Sequence, residues 1–117
     1  MHVLTGAGIF RAAPEPDYVE QLRAEGLSAG TYSLAAGATD TQEPHTEDEV
    51  YVVLRGVGQL WSAAETVPVT AGTVAFVPAG EQHRFVDITE DLVVLVIFGP
   101  PEYSNGQENG RETSTED

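Results

Sequence analysis

Two short segments of this chain combine histidine and glutamate at spacings that could bind a metal ion. They read Gly37-x5-Glu43-x-His45-x3-Glu49-x6-Gly56 and Gly72-x5-Pro78-x-Gly80-x2-His83-x3-Asp87. Of the three histidines in the chain, two fall in these segments. Two imidazoles and one carboxylate form a ligand set suited to Fe(II), Mn, Ni or Zn, with positions left open for substrate or water. We therefore predict that His45, Glu49 and His83 bind one divalent metal ion.

The backbone around the first segment must bend if these residues are to share a metal. Alternate residues of a strand lie on one face, so Glu43, His45 and Glu49 would point the same way. His45 and Glu49 would nevertheless stand roughly 13 Å apart along an ideal strand, which is too far for one ion. Glu43 is a candidate fourth ligand because it shares the parity of His45. Gln42 is a neighbouring oxygen donor whose parity is wrong unless the strand bulges.

Other side chains near the predicted site could take part in proton transfer. Glu43 or Glu49 could act as a base, and the phenol of Tyr32 could act as an acid. Glu47 and Asp48 are expected to be solvated neighbours of Glu49 rather than ligands. These roles leave the catalytic residues open, with Glu43, Glu49 and Tyr32 as the candidates.

The remaining polar and aromatic residues of the two segments have more ordinary expected roles. Arg55 and Arg84 are expected to be exposed counter-charges, although either could select an anionic substrate. Asp87 is expected to be a turn or structural residue. The aromatic side chains expected in the core or in a pocket wall are Tyr51, Trp61, Phe76 and Phe85.

Composition excludes several classes of partner. Nineteen acidic residues against five basic ones give a net charge of −14, which repels phosphate backbones and anionic membranes. No apolar run reaches the roughly 18 residues that a membrane span needs. The chain has no cysteine and no apparent signal peptide, so we expect a cytoplasmic protein without disulfides.

The hydrophobic pattern predicts an all-β domain. Short segments rich in valine and aromatic residues recur between glycine and proline turns, which is typical of a sandwich or barrel. The segment 18–25 is compatible with either strand or helix. The other predicted strands cover residues 30–36, 45–54, 59–63, 67–69, 73–77, 83–88 and 92–98.

The chain divides into one domain and a tail. We predict a single domain over residues 1–101, because 117 residues are too few for two cores. Residues 102–117 are acidic and carry Tyr103 as their only sizeable apolar residue, so they cannot bury enough surface to offset their ordering entropy. We predict that they form a disordered acidic tail.

The two segments resemble the two signature motifs of the cupin superfamily, G-x5-H-x-H-x3-4-E-x6-G and G-x5-P-x-G-x2-H-x3-N. The positions that match are Gly37, His45, Glu49, Gly56, Gly72, Pro78, Gly80 and His83. Two positions depart from the pattern, since Glu43 replaces the first histidine and Asp87 replaces the final asparagine. The resemblance covers residues 37–87 and implies a double-stranded β-helix, also called a jelly-roll barrel.

The resemblance leaves the function open between two classes. Cupins include dioxygenases, isomerases, lyases and cyclases that act on small organic molecules at a metal, so an enzyme of this kind is one reading. The alternative is a non-catalytic module that binds or senses a small ligand. Small cupins also pair as homodimers through edge strands, and residues 3–10 could cover such an edge. No nucleic-acid or membrane partner is expected.

Overall fold

The structure is a computed structural model that describes residues 1–104, and its regular elements are β-strands. Residues 105–117, which belong to the predicted tail, lie outside the part of the chain that the structure describes. Every strand pairing is antiparallel, which confirms the all-β prediction. The strands are β1 (Asp17–Arg23), β2 (Ser28–Leu34), β3 (Asp48–Ser62), β4 (Thr66–Thr70), β5 (Val74–Val77) and β6 (His83–Gly99).

The two long strands β3 and β6 organise the sheet. The strand order is β1-β2-β6-β3-β4, and β5 pairs with β3. The first half of β3 pairs with the end of β6 and with β5, as in the pair Val50–Ile97. The second half pairs with the start of β6 and with β4, as in the pair Trp61–Arg84. The paired strands β3 and β6 therefore run through both halves of the sheet, as expected for a double-stranded β-helix.

The middle of this strand pair is irregular. Register shifts fall between Val53 and Gln59 on β3, and Gly56 adopts a φ of +100° there. A Cβ atom at Gly56 would lie 2.2 Å from the backbone oxygen of Asp91, so only glycine fits. Asp87 has a φ of 50° inside β6, consistent with its expected turn role. The predicted breaks in these two strands are thus bulges within continuous strands.

The core is built from the inward faces of β3 and β6. Tyr51 and Val53 alternate with outward residues on β3, and Phe85 packs against Tyr51 with ring centroids 4.9 Å apart. The expectation that Phe76 lies in the core or a pocket wall is wrong, because it is 62% exposed on the outer face of β5. On β6 the inward residues of the second half are Leu92, Val94, Val96 and Phe98.

The N-terminal residues 1–16 form no strand. The backbone N–H of Gly8 donates to Oγ1 of Thr31 at 2.8 Å, and that of Arg11 donates to Oγ of Ser33 at 3.1 Å. This segment is therefore fastened to side chains of β2 instead of adding a strand. The ambiguous segment 18–25 is largely the strand β1. No helix within residues 1–104 is long and apolar enough to cross a membrane.

Candidate metal centre

His83 enters the site from the start of β6. Its Nδ1–H donates to the backbone oxygen of Glu81 at 2.8 Å, which leaves Nε2 directed inward. Nε2 lies 2.9 Å from the hydroxyl of Tyr51 and 3.1 Å from Oε1 of Glu49. A metal-binding histidine usually donates one ring N–H to an outer oxygen and binds the metal through the other nitrogen, and the bond to Glu81 holds His83 in that way.

His45 reaches the same point from a loop. The strand β3 begins only at Asp48, so residues 41–47 are free to curve and the strand spacing predicted for this segment does not apply. The backbone oxygen of His45 accepts a hydrogen bond from the N–H of Gly80 at 2.7 Å, which ties this loop to the turn before β6. As a result, Nδ1 of His45 lies 3.5 Å from Oε1 of Glu49.

The three predicted ligands converge on one point. One candidate ligand atom from each of His45, Glu49 and His83 lies within 4.8 Å of the others. Glu49 and His83 are each 2% exposed. Nδ1 of His45 and Oε1 of Glu49 are buried and have no hydrogen-bond partner. A buried polar atom without a partner is costly, so a cation bound here would satisfy both atoms, and the residues fit a divalent metal.

The electrostatics of the metal-free group follow from this proximity. Burial alone would lower the pKa of His45, but the nearby carboxylates of Glu102 and Glu49 outweigh it and raise that pKa to about 9. The pKa of His83 is also raised, since the nearby Glu49 carboxylate and the hydrogen bond to the backbone oxygen of Glu81 outweigh burial. Burial would raise the pKa of Glu49, but the two imidazoles beside it lower it. Without a cation, the proximity of the carboxylate and the imidazoles therefore favours the ionised form of Glu49 and the protonated form of His45.

The structure does not bring Glu43 to this group, because its side chain is exposed. Gln42 faces the site instead. Its Oε1 accepts from the hydroxyl of Tyr51 at 3.2 Å, and its Nε2 donates to Asp40 at 2.7 Å. The parity argument fails here because these residues precede β3 and do not alternate as a strand would.

Glu47 differs from its expected solvated role. It is 1% exposed, and its Oε1 accepts the backbone N–H of Tyr103 at 2.7 Å. Asp48 is exposed as expected, and its Oδ1 accepts the N–H of Ala79 at 2.9 Å. The acidic stretch thus includes one buried carboxylate that fastens the segment after β6.

Tyr32 lies beside the site, but its hydroxyl is engaged. It donates to Oδ1 of Asp40 at 2.7 Å. Burial and the adjacent Asp40 carboxylate raise the pKa of Tyr32, so this phenol keeps its proton. The guanidinium of Arg84 stacks on the ring of Trp61, 5.3 Å from its centroid, and the side chain of Arg55 is exposed.

Two residues of the site were missed in the sequence. Asp40 is 2% exposed and accepts the backbone N–H of Phe85 at 2.9 Å, besides its bonds to Tyr32 and Gln42. Glu102 is 8% exposed, and its Oε2 lies 3.2 Å from Nε2 of His45. Glu102 was assigned to the disordered tail, so the predicted tail boundary needs correction. Neither residue belongs to a signature position, and no spacing rule pointed to them.

A cavity opens beside the ligand group. Its volume is about 250 Å³, which suits a small organic molecule. Its wall is mostly aromatic and apolar, with the metal-binding residues at one side. The lining residues are Tyr18, Tyr32, Gln42, His45, Glu49, Tyr51, Val96, Phe98, Glu102 and Tyr103.

Comparison with known proteins defines the class. Residues 30–98 match the sequence pattern of the cupin domain, and the chain belongs to the cupin superfamily. It is 49% identical over 92 residues to the uncharacterized protein SCO3923 of Streptomyces coelicolor, a match that covers 79% of this chain and 88% of that protein.

Solved structures share the fold. An RmlC-like cupin from Desulfovibrio desulfuricans aligns with a TM-score of 0.68 and 22% identity, covering 86% of this chain and 96% of that one. KdgF from Halomonas sp. aligns with a TM-score of 0.68 and 21% identity, covering 77% of this chain and 83% of that one. At this identity the likeness concerns the fold alone.

Proposed function

We propose that this protein is a metal-binding cupin that acts on a small organic molecule held in the barrel. The observation that carries the proposal is the convergence of His45, Glu49 and His83, whose candidate ligand atoms lie within 4.8 Å of one another beside a cavity of about 250 Å³. Fe, Mn, Zn and Ni are the metals that suit this ligand set.

The side chains around the cavity suggest how a molecule would be held there. When bound, a divalent metal would act as a Lewis acid that polarises a carbonyl or enolate oxygen. Phe98 and Tyr32 supply aromatic walls. Tyr18 also lines the cavity, and its buried hydroxyl has no hydrogen-bond partner, so we propose that it bonds a polar group of the molecule. The reaction would be of the dioxygenase, isomerase, lyase or cyclase type.

A non-catalytic binding module is the second candidate, and one observation favours it. The polar groups expected to transfer protons are already committed, since Tyr32 donates to Asp40 and Glu49 contacts both imidazoles. Glu43, the remaining candidate base, is exposed outside the group. A screen of small carbonyl and enol compounds against metal-loaded protein distinguishes the two. A reaction product detected by mass spectrometry favours an enzyme. A compound that raises the melting temperature of the protein without forming a product favours the binding module.

Metal binding is tested first by titration calorimetry. Metal-free protein is titrated with Zn(II), Mn(II), Ni(II) and, without oxygen, Fe(II). We expect one site in the wild type and no measurable binding in His83→Ala, because this variant loses a buried ligand. His2→Ala is the matched control, since His2 is exposed and outside the group. Equal binding by wild type and His83→Ala would contradict the site.

We also propose that the protein is a homodimer. Val74 and Phe76 on β5 are 65% and 62% exposed, and Leu54 on β3 is 40% exposed. Within residues 1–104, β5 pairs only with β3, so its other edge offers unpaired backbone groups. A second copy of the chain would cover both the apolar side chains and this edge.

A further inference from the structure

The residues that follow β6 fold back over the metal centre. We call residues 100–104 the C-terminal strap. The backbone N–H of Glu102 donates to Oγ of Ser28 at 2.9 Å, and its backbone oxygen accepts from Arg23 at 2.8 Å. The N–H of Tyr103 donates to the buried carboxylate of Glu47. These bonds to three different parts of the fold hold the strap against the cavity.

The strap meets the outer nitrogen of His45. Nε2 of His45 lies 3.2 Å from Oε2 of Glu102, whereas Nδ1 faces Glu49 and has no hydrogen-bond partner. His83 shows the same division with its nitrogens exchanged, because its Nδ1 is held by Glu81 and its Nε2 faces Glu49. Each imidazole therefore has one nitrogen that faces Glu49 and one that lies close to an oxygen outside the ligand group.

We propose that Glu102 is a positioning residue for the metal site. Its carboxylate accepts a hydrogen bond from Nε2–H of His45 and thereby presents Nδ1 to the metal, while His83 binds through Nε2. This inference rests on the proposed metal site. A carboxylate that holds the outer nitrogen of a ligating histidine fixes the ring orientation and the tautomer and raises the basicity of the ligand.

Glu102 acts from outside the ligand group. The group whose atoms lie within 4.8 Å contains His45, Glu49 and His83 but not Glu102, and Glu102 contacts the ring nitrogen opposite the one that faces Glu49. Glu102 also follows the cupin match, which ends at residue 98. The strap is therefore a contribution of this chain beyond the matched domain.

Zinc affinity tests the role of Glu102. We expect Glu102→Gln to bind Zn(II) about 10–100-fold more weakly than the wild type, the usual loss when such an outer partner is mutated, because a neutral amide oxygen is a weaker acceptor than a carboxylate and raises the basicity of the imidazole less. Glu65→Gln is the matched control, because it removes the same charge from an exposed position outside the site. Circular dichroism and thermal melting of the metal-free variants establish that each is folded.

The tautomer of His45 is a second measurement, and it would not depend on Glu102 if this residue only stabilised the fold. In the zinc-loaded wild type, long-range ¹H–¹⁵N spectra should show a proton on Nε2 of His45 and on Nδ1 of His83. Attachment of zinc through Nε2 of His45 would overturn the proposal, as would wild-type affinity in folded Glu102→Gln. If Glu102→Gln does not fold, the spectrum of the zinc-loaded wild type alone tests which nitrogen of His45 binds the metal. A wild type that binds none of the four metals would instead remove the proposed function and this inference together.

Discussion

At the residue scale, Glu49 is the centre of the site. Its Oε1 lies 3.1 Å from Nε2 of His83 and 3.5 Å from Nδ1 of His45. Without a metal, the raised pKa values of both imidazoles and the lowered pKa of Glu49 make this a charge-paired cluster. A metal and these protons compete for the same atoms, because ligands must be deprotonated to bind.

The metal-free protein should lose stability as the imidazole of His45 loses its proton. Its pKa is about 9 in the folded protein against 6.5 as the ordinary value. The contribution is therefore complete below pH 6.5 and disappears as the pH rises through 9, with an upper size of about 3 kcal/mol. Urea unfolding of wild type and His45→Gln between pH 6 and roughly pH 10 measures the difference. A difference that does not change with pH would contradict the charge pairing.

Two cavity tyrosines should respond differently to loss of the hydroxyl. Tyr32→Phe removes the donor to Asp40 and should cost about 1.5–3 kcal/mol, the usual range for a hydrogen bond to a charged group. Tyr18→Phe should be close to neutral, because its buried hydroxyl has no hydrogen-bond partner. Both free energies of unfolding come from urea denaturation of the metal-free protein. Equal losses in the two variants would be inconsistent with these contacts.

The sequence could identify His45, Glu49 and His83 because residue type and spacing alone distinguish them. The preference for Glu43 over Gln42 depended on treating the residues before Asp48 as a strand, whereas the strand begins only at Asp48. The sequence also could not find Glu102, whose contact with His45 joins residues 57 positions apart by number and depends on the path of the strap.

At the element scale, the pairing of β3 with β6 determines the shape of the barrel. The valine-rich segments predict where strands form, but they do not predict that neighbouring segments join into the single long strands β3 and β6. The sequence predicts two separate strands over residues 45–54 and 59–63, with Gly56 and Gly58 between them, yet β3 runs to Ser62 with register shifts at this point. Glycine permits both a turn and a bulge, and only the close approach of the Asp91 backbone distinguishes them.

Substitution of Gly56 should therefore be far more damaging than substitution of an unconstrained glycine. Gly56→Ala places a Cβ atom 2.2 Å from the Asp91 oxygen and forces a φ of +100° on alanine. We expect a loss of at least 2–3 kcal/mol. Gly26→Ala is the control, since a Cβ there meets nothing within 4 Å. Thermal melts of the two variants provide the comparison, and similar melting temperatures would refute the account of the bulge.

At the scale of the whole molecule, charge and exposed apolar surface have separate consequences. The net charge of −14 attracts cations in general but creates no site by itself. The exposed apolar residues of β5 lie on the outer face of the sheet, whereas the cavity is lined by the inner face. Association of two chains would thus leave the metal centre accessible.

The dimer proposal predicts a mass of two chains by light scattering after gel filtration. Phe76→Glu should shift the mass to one chain, because a buried charge opposes association. Val67→Glu is the matched control, since Val67 is also exposed but lies on β4. A wild type with the mass of one chain would contradict the proposal.

The most direct test of the account is the metal content of protein purified without a metal-affinity tag. Plasma mass spectrometry of the wild type, after incubation with Fe(II), Mn(II), Ni(II) or Zn(II) and removal of free metal, should give about one equivalent for at least one metal. His83→Ala should retain almost none. Less than roughly 0.1 equivalent in the wild type with every metal would contradict the assignment of His45, Glu49 and His83 as a metal centre.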